Sequence, residues 1–536
     1  PHNAAPPSTK TPKSAAAPPT MEATLISVLT SLAAAVAVSL AWKALDWVWV
    51  TPKRVERCLR RQGLSGTPYR LLHGDTQDIA RMQHQANATP IALSQDISPR
   101  ILPFYHRSIH KYGKQSFTWA GPAAKLCVMD PKMIRDLFTN YRTFQKRRTS
   151  MSRSLVSGLI ECEGDKWAKH RKIINPAFHT DKLKNLLPEV QSSCVEMLTR
   201  WDQMLQNRGC CELDLMPSFH NFTGDVISRA AFGSNFEEGR PIFHLLKEQS
   251  AIFLKAIRST HIPGWRFVPT KTNKRYNEIH DDIGSLITGI IHKKEEAMKR
   301  GEGKTDDLLG ILLNFNAQEI EEHGGKKEKG LNLDEIIREC KLFYFAGQET
   351  TNYLLLWSMI LLSKHQDWQA RAREEVFKIF GKNQPTNDGI RRLKTVGMIL
   401  LEVLRLYPPV PELVRTVHTE TKLGELSLPP GVILSVPIIL VHHDTDIWGE
   451  DAHEFKPDRF LDGVSNATQT QPAFLSFGSG PRVCIGQNFA MIEAKAALAM
   501  ILQRFSFKLS PSYVHAPCNH LTIQPQHGAP IIIGRL

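Results

Sequence analysis

The stretch Phe477–Gly486, FGSGPRVCIG, decides how the rest of the chain is read. It sets one cysteine, Cys484, in a glycine-rich turn directly ahead of the helical run Gln487–Leu502 (QNFAMIEAKAALAMIL). A thiolate persists at neutral pH only when it is compensated, and backbone N–H donors at a helix N-terminus supply that compensation. Gly478, Gly480 and Gly486 strip side chains from positions where a flat ligand would approach the backbone. Arg482, two residues before the cysteine, is placed to pair with an anionic group. Phe477 is expected to cover the thiolate side and limit its contact with water and oxidants.

A second stretch lies upstream. Asn332 and Glu335 have the spacing of a capping box, opening a long apolar helical run to Ser363. In its middle stands Ala346-Gly347-Gln348-Glu349-Thr350-Thr351. A mid-helix glycine followed by adjacent threonines costs helix stability, so this choice needs a reason. Gly347 would let a ligand approach the backbone, and the Thr350 hydroxyl can bond to the backbone and open a groove. A close crossing of two helices over small residues would explain the same glycine. Further on, in Leu400–Pro409 (LLEVLRLYPP), Glu402 and Arg405 share one helical face before Pro408 and Pro409 end the helix.

Taken together these stretches resemble the cytochrome P450 family. Phe477–Gly486 matches its haem-binding signature, Phe-x-x-Gly-x-Arg-x-Cys-x-Gly, at every defined position. The resemblance implies haem b as cofactor, Cys484 as axial ligand of its iron, Arg482 on a propionate, and Phe477, Gly480 and Gly486 in the cofactor-binding turn. Ala346–Thr351 resembles the oxygen-activation motif. There Thr350 would hydrogen-bond dioxygen, with Glu349 as its acidic partner in proton delivery. Glu402 and Arg405, with Phe455-Lys456-Pro457-Asp458-Arg459-Phe460, resemble the Glu-x-x-Arg and Phe-x-Pro-x-Arg-Phe elements. Glu402, Arg405 and Arg459 would then form a buried structural network beneath the haem. Trp167 and Arg171 match a Trp-x-x-x-Arg pattern on a helix at the haem edge, and Arg415 a strand position that supplies another guanidinium to the propionates.

The resemblance runs from about Gly63 to Leu536. Pro99–Gly113, Lys364–Glu375, Tyr513–Pro517 and Gln524–Pro530 resemble plant members of the seventy-two clan, and within it the founding family's A subfamily. That implies a mainly α fold with a small β-sheet portion. It also implies a monooxygenase that takes dioxygen, and electrons from an NADPH-cytochrome reductase, to oxidise a lipophilic small molecule. Terpenoids (iridoid, gibberellin or triterpene) are the implied class, while related families act on brassinosteroids and cytokinins. Two other readings stay open: a peroxide-rearranging haem-thiolate enzyme, which can do without the Glu-Thr pair, and a haem-binding sensor or carrier without turnover.

Composition bounds the rest. The chain has 536 residues, 42% hydrophobic and 22% charged, a globular profile with a sizeable core. Its net charge of +14 suits an acidic partner or an anionic membrane surface. No basic stripe interleaved with aromatics is present, so nucleic acid is not an expected partner. Nine cysteines, scattered and without a CxxC pair, make neither a disulfide framework nor a zinc site, and fit a reducing, cytosol-facing domain. The sequons at Asn87, Asn221 and Asn466 are accordingly read as chance matches.

Residues 1–20, rich in Pro and Ala, are expected to be a disordered extension, with translation starting at Met21. Leu25–Trp42 carries no charge over eighteen residues, enough at about 1.5 Å rise to span most of a bilayer core. Trp42, Trp47 and Trp49 follow as an interfacial belt, and then Lys53, Arg54, Arg57, Arg60 and Arg61. This order favours a single-pass anchor in the endoplasmic reticulum membrane, with a cytosolic catalytic domain, over a cleaved signal peptide ending near Ala35–Ala37. The expected layout is an anchor at 21–50, a basic linker and hinge at 51–68, where GLSGTP (Gly63–Pro68) breaks the helix, and one large domain at 69–536.

Within that domain helices are expected at Lys182–Arg200, Asp281–Arg300, Asp306–Leu313 and Trp368–Phe380, and strands near Lys125–Met129, Val432–Leu440 and Ile531–Ile533. His323–Gly330 reads as a surface connection. Substrate-pocket stretches are placed at Phe144–Glu161, Gly239–Arg266, Pro409–Thr416 and Cys518–Thr522. Gly303-Lys304-Thr305 ends like a phosphate loop but lacks its first glycine and a preceding strand. His442-His443-Asp444 has no ligand partners nearby in sequence and reads as ordinary loop. Gly397 departs from the family pattern, at a helical cost of up to about 1 kcal/mol.

Overall fold

The computed structural model of the protein describes residues 21–147, 155, 157–205, 209–234, 236–257, 268–302 and 306–536. The extension at 1–20, Gly303-Lys304-Thr305, and parts of two expected pocket stretches (148–154 with 156, and 258–266) lie outside the described residues.

The core is built round the helix Leu333–Lys364. Its start is fixed by the expected capping box: Asn332 Oδ1 accepts from Glu335 N at 2.9 Å, and Glu335 Oε2 from Asn332 N at 3.2 Å. Both flanks of the helix are buried, including Cys340–Tyr344 and Thr351–Ser363. Helices Leu215–Phe232, Lys394–Leu406 and Gln487–Arg504 pack against it. To one side lies a six-stranded mixed sheet in the order Ser65–Gly66, Ser116–Ala120, Ala123–Cys127, Ile433–Val436, Leu413–Val417, Phe144–Gln145. A three-stranded sheet pairs Pro530–Arg535 with both Phe505–Leu509 and Cys210–Asp214. The fold is mainly α with small sheets.

Several boundaries differ from the sequence reading, each for a local reason. The helix expected at Lys182–Arg200 runs Leu187–Leu205, because Pro188 suits a first turn and not an interior. The one expected at Asp281–Arg300 begins ten residues earlier, at Lys271, where the Thr270 hydroxyl accepts from Asn273 N at 3.1 Å. Asp307 caps a helix that continues to Glu322 instead of ending at Leu313. The strand expected over Val432–Leu440 is only Ile433–Val436; Pro437 ends it and the chain turns into the helix Ile438–His442. His323–Gly330 is a surface connection as expected, with Gly324 and Gly325 both at positive φ.

The N-terminal helix Met21–Leu45 continues through Asp46–Val50 into Thr51–Arg61. Among the described residues, this is the one helix long and apolar enough to cross a membrane, and the apolar side chains of its first part are exposed. The segment expected as a basic linker is instead a docked helix. Val55, Glu56 and Leu59 are buried in it, and Glu56 accepts from Lys53 at 2.9 Å and Arg60 at 3.1 Å. Gly63, at φ +83°, ends it, with Leu64 N donating to Leu59 O at 3.2 Å.

Gly397 lies inside Lys394–Leu406, where a Cβ would sit 3.2 Å from Lys495 Nζ. Lys495 uses that space to donate to Leu393 O at 3.0 Å. The glycine thus makes room for a half-buried ammonium bonded at the start of the glycine's own helix.

Candidate active site

The turn before Gln487–Arg504 is held by its own backbone. Cys484 N donates to Phe477 O at 2.8 Å, and Gly478 and Gly480 take φ values of +75° and +68°. A Cβ on Gly480 would fall 2.6 Å from the Phe138 carbonyl oxygen, so the close end of helix Pro131–Thr139 requires a glycine here. Gly486 is less crowded: its nearest neighbours would be Phe178 at 3.9 Å and Cys484 Sγ at 4.0 Å. Phe477 is half-buried against the core.

Cys484 keeps accessible surface on one side, with protein packed round the rest. Burial pushes its thiol above the ordinary range. Opposing that rise are the N–H groups of Gly486 and Gln487 and the charges of Arg171 and Lys146. Burial prevails for the free thiol. The same donors and charges favour the thiolate once the sulfur binds a metal cation, which deprotonates it outright.

Cations converge beside this turn. Arg171, on helix Gly164–Ile174, donates to Val483 O at 3.0 Å. Arg482 pairs with Glu163 at 3.0 Å and lies 4.9 Å over the ring of buried Trp167, which itself packs on Tyr141. Arg415, on strand Leu413–Val417, is buried over Phe138 at 4.9 Å. Burial, then the charge of Arg482, lowers its pKa to about 10. Lys146 is pushed far below its ordinary range by burial and by Arg482 and Arg415. Its backbone N–H donates to Glu163 at 3.0 Å. Three guanidiniums offset by Glu163 leave excess positive charge in a low-dielectric place, a donor set suited to a dianionic ligand. Arg171, Arg415, Arg482 and Trp167, all named from the sequence, lie round this turn. Lys146 and Glu163 were missed as site residues, although Lys146 opens a basic run, Lys146-Arg147-Arg148, inside an expected pocket stretch.

Across from the turn, Phe178 connects Gly486 to the central helix: its ring lies 5.7 Å from that of Phe343. Just beyond, Phe345–Thr350 are partly exposed in a helix otherwise buried on both flanks. The Thr350 hydroxyl donates to Ala346 O at 2.8 Å, the back-bond expected of it. Gly347 does something else. A Cβ there would lie 2.7 Å from Ile227 Cδ1, so the glycine lets helix Leu215–Phe232 cross closely and does not admit a ligand.

Burial lifts the Glu349 carboxyl to about 7, against the lowering effects of Lys247 and the Tyr353 hydroxyl. Tyr353, one turn on, donates to Gln524 Oε1 at 2.6 Å and stands 3.4 Å from His220 Nε2. Tyr353, Gln524 and His220 extend the acid site beyond the two residues legible in the sequence. Only the i,i+4 spacing of Glu349 and Tyr353 could have signalled any of them.

Glu402 and Arg405 are fully buried and paired in a fork, Nε to Oε2 at 2.7 Å and Nη2 to Oε1 at 2.8 Å. Arg405 also donates to the carbonyls of His442 (2.8 Å) and Ala452 (2.6 Å), and Lys456 N donates to Glu402 at 2.9 Å. Arg459 approaches Glu402 at 3.7 Å and is held by Trp448 O and Asp451. His442, read as an ordinary loop residue, carries this network to the cysteine turn. Its Nδ1 donates to Arg405 O at 3.0 Å, and its Nε2 accepts from Leu475 N at 2.8 Å. Ser476 adds a bond to Leu404 O at 2.7 Å. Burial, then the Arg405 charge, keeps the imidazole well below its usual pKa, as one neutral tautomer requires.

Comparison with known proteins agrees with this geometry. The family model described as Cytochrome P450 matches residues 95–529. The chain is 52% identical over 518 residues (96% of it, 100% of the relative) to Cytochrome P450 CYP72A219 of Panax ginseng. It is 51% identical over 508 residues (94% and 98%) to a 7-deoxyloganic acid hydroxylase of Catharanthus roseus. It is 49% identical over 499 residues (92% and 95%) to secologanin synthase 1 of the same plant. With its cysteine turn, convergent cations and buried Glu-Arg network in place, the chain belongs to the cytochrome P450 family.

Proposed function

We propose that this haem-dependent monooxygenase hydroxylates or further oxidises a terpenoid, with the iridoid class first, and draws its electrons from an NADPH-cytochrome reductase. The observation that carries the substrate reading is about 50% identity, along nearly the whole chain, to relatives named for 7-deoxyloganic acid hydroxylation and secologanin synthesis. The stretch Pro409–Thr416, apolar apart from Glu412, Arg415 and Thr416, suits such a molecule.

Haem, when bound, supplies the iron at which dioxygen is activated. Cys484 Sγ is the side chain that would hold the haem iron, with the N–H groups of Gly486 and Gln487 moderating its charge. Arg171, Arg415 and Arg482, joined by Lys146, take the two carboxylates, and Trp167 supports Arg482 from beneath. Thr350 is proposed to offer its hydroxyl on the partly exposed stretch Phe345–Thr350 of the central helix. Glu349, with a pKa near neutrality, holds a proton that Thr350 relays to the reacting oxygen. Glu402, Arg405 and Arg459 do no chemistry; through His442 they keep the cysteine turn rigid. The presence of the Glu349-Thr350 pair weighs against a peroxide-rearranging enzyme.

The proposed layout is an anchor at 21–50, a docked connector within 51–68 and one catalytic domain at 69–536. The anchor would sit in the endoplasmic reticulum membrane with the domain on the cytosolic side.

The test is turnover in microsomes with reductase, NADPH and a panel of iridoids, gibberellins, triterpenes, brassinosteroids and cytokinins. NADPH-dependent oxygenation of an iridoid is the expected result. Turnover restricted to brassinosteroids or cytokinins would overturn the substrate reading. Reaction with a hydroperoxide but not with NADPH and dioxygen would overturn the electron source.

A further inference from the structure

We propose that Asp96, His443 and His453 form a site for a divalent d-block cation of the zinc class, separate from the cysteine turn. The sequence reading dismissed His443 because nothing near it in the chain completed a ligand set. Folding corrects this: Asp96 and His453 come from other segments, and one ligand atom of each of the three residues lies within 4.8 Å of the others.

The orientation of His443 carries the inference. Its Nε2 lies 3.1 Å from Leu406 O. A carbonyl only accepts, so Nε2 bears the hydrogen, and a neutral ring then has its lone pair on Nδ1. That Nδ1 lies 2.7 Å from Asp96 Oδ1. Two lone pairs facing each other at this distance need a cation or an additional proton between them. An imidazole whose outer nitrogen is tied to a backbone carbonyl is the usual arrangement of a metal-ligating histidine.

Asp96 is equally fixed, since its Oδ1 also accepts from Ser98 N at 2.9 Å. His453 Nδ1 stands 3.6 Å from the same oxygen. Tetrahedral zinc with bonds of about 2.0–2.1 Å places its ligand atoms roughly 3.3 Å apart. His443 Nδ1 and Asp96 Oδ1, now 2.7 Å apart, must open to admit it, and the exposed His453 ring must swing in. His443 is buried while His453 is exposed, and a cavity of about 280 Å³, lined also by His365, Tyr407 and Glu454, leaves access and room for a water as fourth ligand. A bound cation would tie the 94–98 segment, the end of helix Ile438–His442 and the turn whose Ala452 and Glu454 carbonyls Arg405 holds.

A rival exists on helix Pro103–Tyr112, where His106 and His110 bring their Nε2 atoms to 3.2 Å. The experiment is zinc titration by calorimetry, with metal content after dialysis, on the haem-loaded full chain without a histidine tag. His453→Ala and Asp96→Ala are compared with a His106→Ala/His110→Ala double variant, and the carbon monoxide spectrum reports folding. One tightly held zinc is expected, with affinity falling at least about tenfold in His453→Ala and Asp96→Ala and unchanged in the double variant. Should Asp96→Ala not fold, the exposed His453 decides alone. No zinc retained, unchanged binding in His453→Ala, or loss confined to the His106/His110 variant would overturn the proposal; the first outcome would mean that a proton fills the gap.

Discussion

At Glu349 the carboxyl holds its proton up to a pH of about 7, against an ordinary value of 4.5. Its folded-state pKa is the higher one. Its contribution to stability is therefore fully present below about pH 4.5 and is lost as pH rises through 7. Glu349→Gln is expected to flatten stability between pH 5 and 8, as read by thermal midpoints, and to remove the decline in turnover above pH 7 expected of the parent. Thr350→Ala is expected to keep the haem spectrum while NADPH oxidation outruns product formation. At Arg405 the prediction concerns stability alone. Arg405→Ala strands Glu402 without a cation in a fully buried place, at a cost of about 3–5 kcal/mol, visible as a lowered midpoint and poor haem retention. Cys484, Arg482, Glu349, Thr350, Glu402 and Arg405 were legible because their types recur at fixed short spacings. Lys146, His442 and the Asp96–His443 pair were not, because their partners lie 17 to 347 residues away in the chain.

Among elements, the helix Leu333–Lys364 was readable to its first residue, since a capping box is a three-residue signal. Helix Lys271–Lys299 was read ten residues short. Its opening turns are polar, and what marks it is the buried series Tyr276, Ile279, Ile283, Ile287 and Ile291. The basic composition of Thr51–Arg61 hid a docking face, Val55 and Leu59, beneath its charges. A chain cut after Val50 is expected to leave the membrane fraction yet keep its thermal midpoint. One cut after Arg61 is expected to lose several degrees, because the Val55 and Leu59 contacts go with it. Gly397→Ala is expected to change stability by less than about 1 kcal/mol, a gain in helix propensity set against displacement of Lys495 from Leu393 O.

For the whole molecule, helix dominance and a small sheet portion followed from apolar periodicity, but strand order did not. Cys210–Asp214 pairs with Pro530–Arg535 more than 300 residues later, and no local pattern announces such a partner. What unifies the architecture is the path from Glu402–Arg405 through His442 to Leu475 and the cysteine turn, a rigid frame for one sulfur. The most direct measurement is the carbon monoxide difference spectrum of the reduced protein, parent beside Cys484→Ser. The account predicts a strongly red-shifted Soret band in the parent and its loss in Cys484→Ser. A folded, haem-loaded parent without that band, or a Cys484→Ser variant that keeps it, would contradict ligation by Cys484.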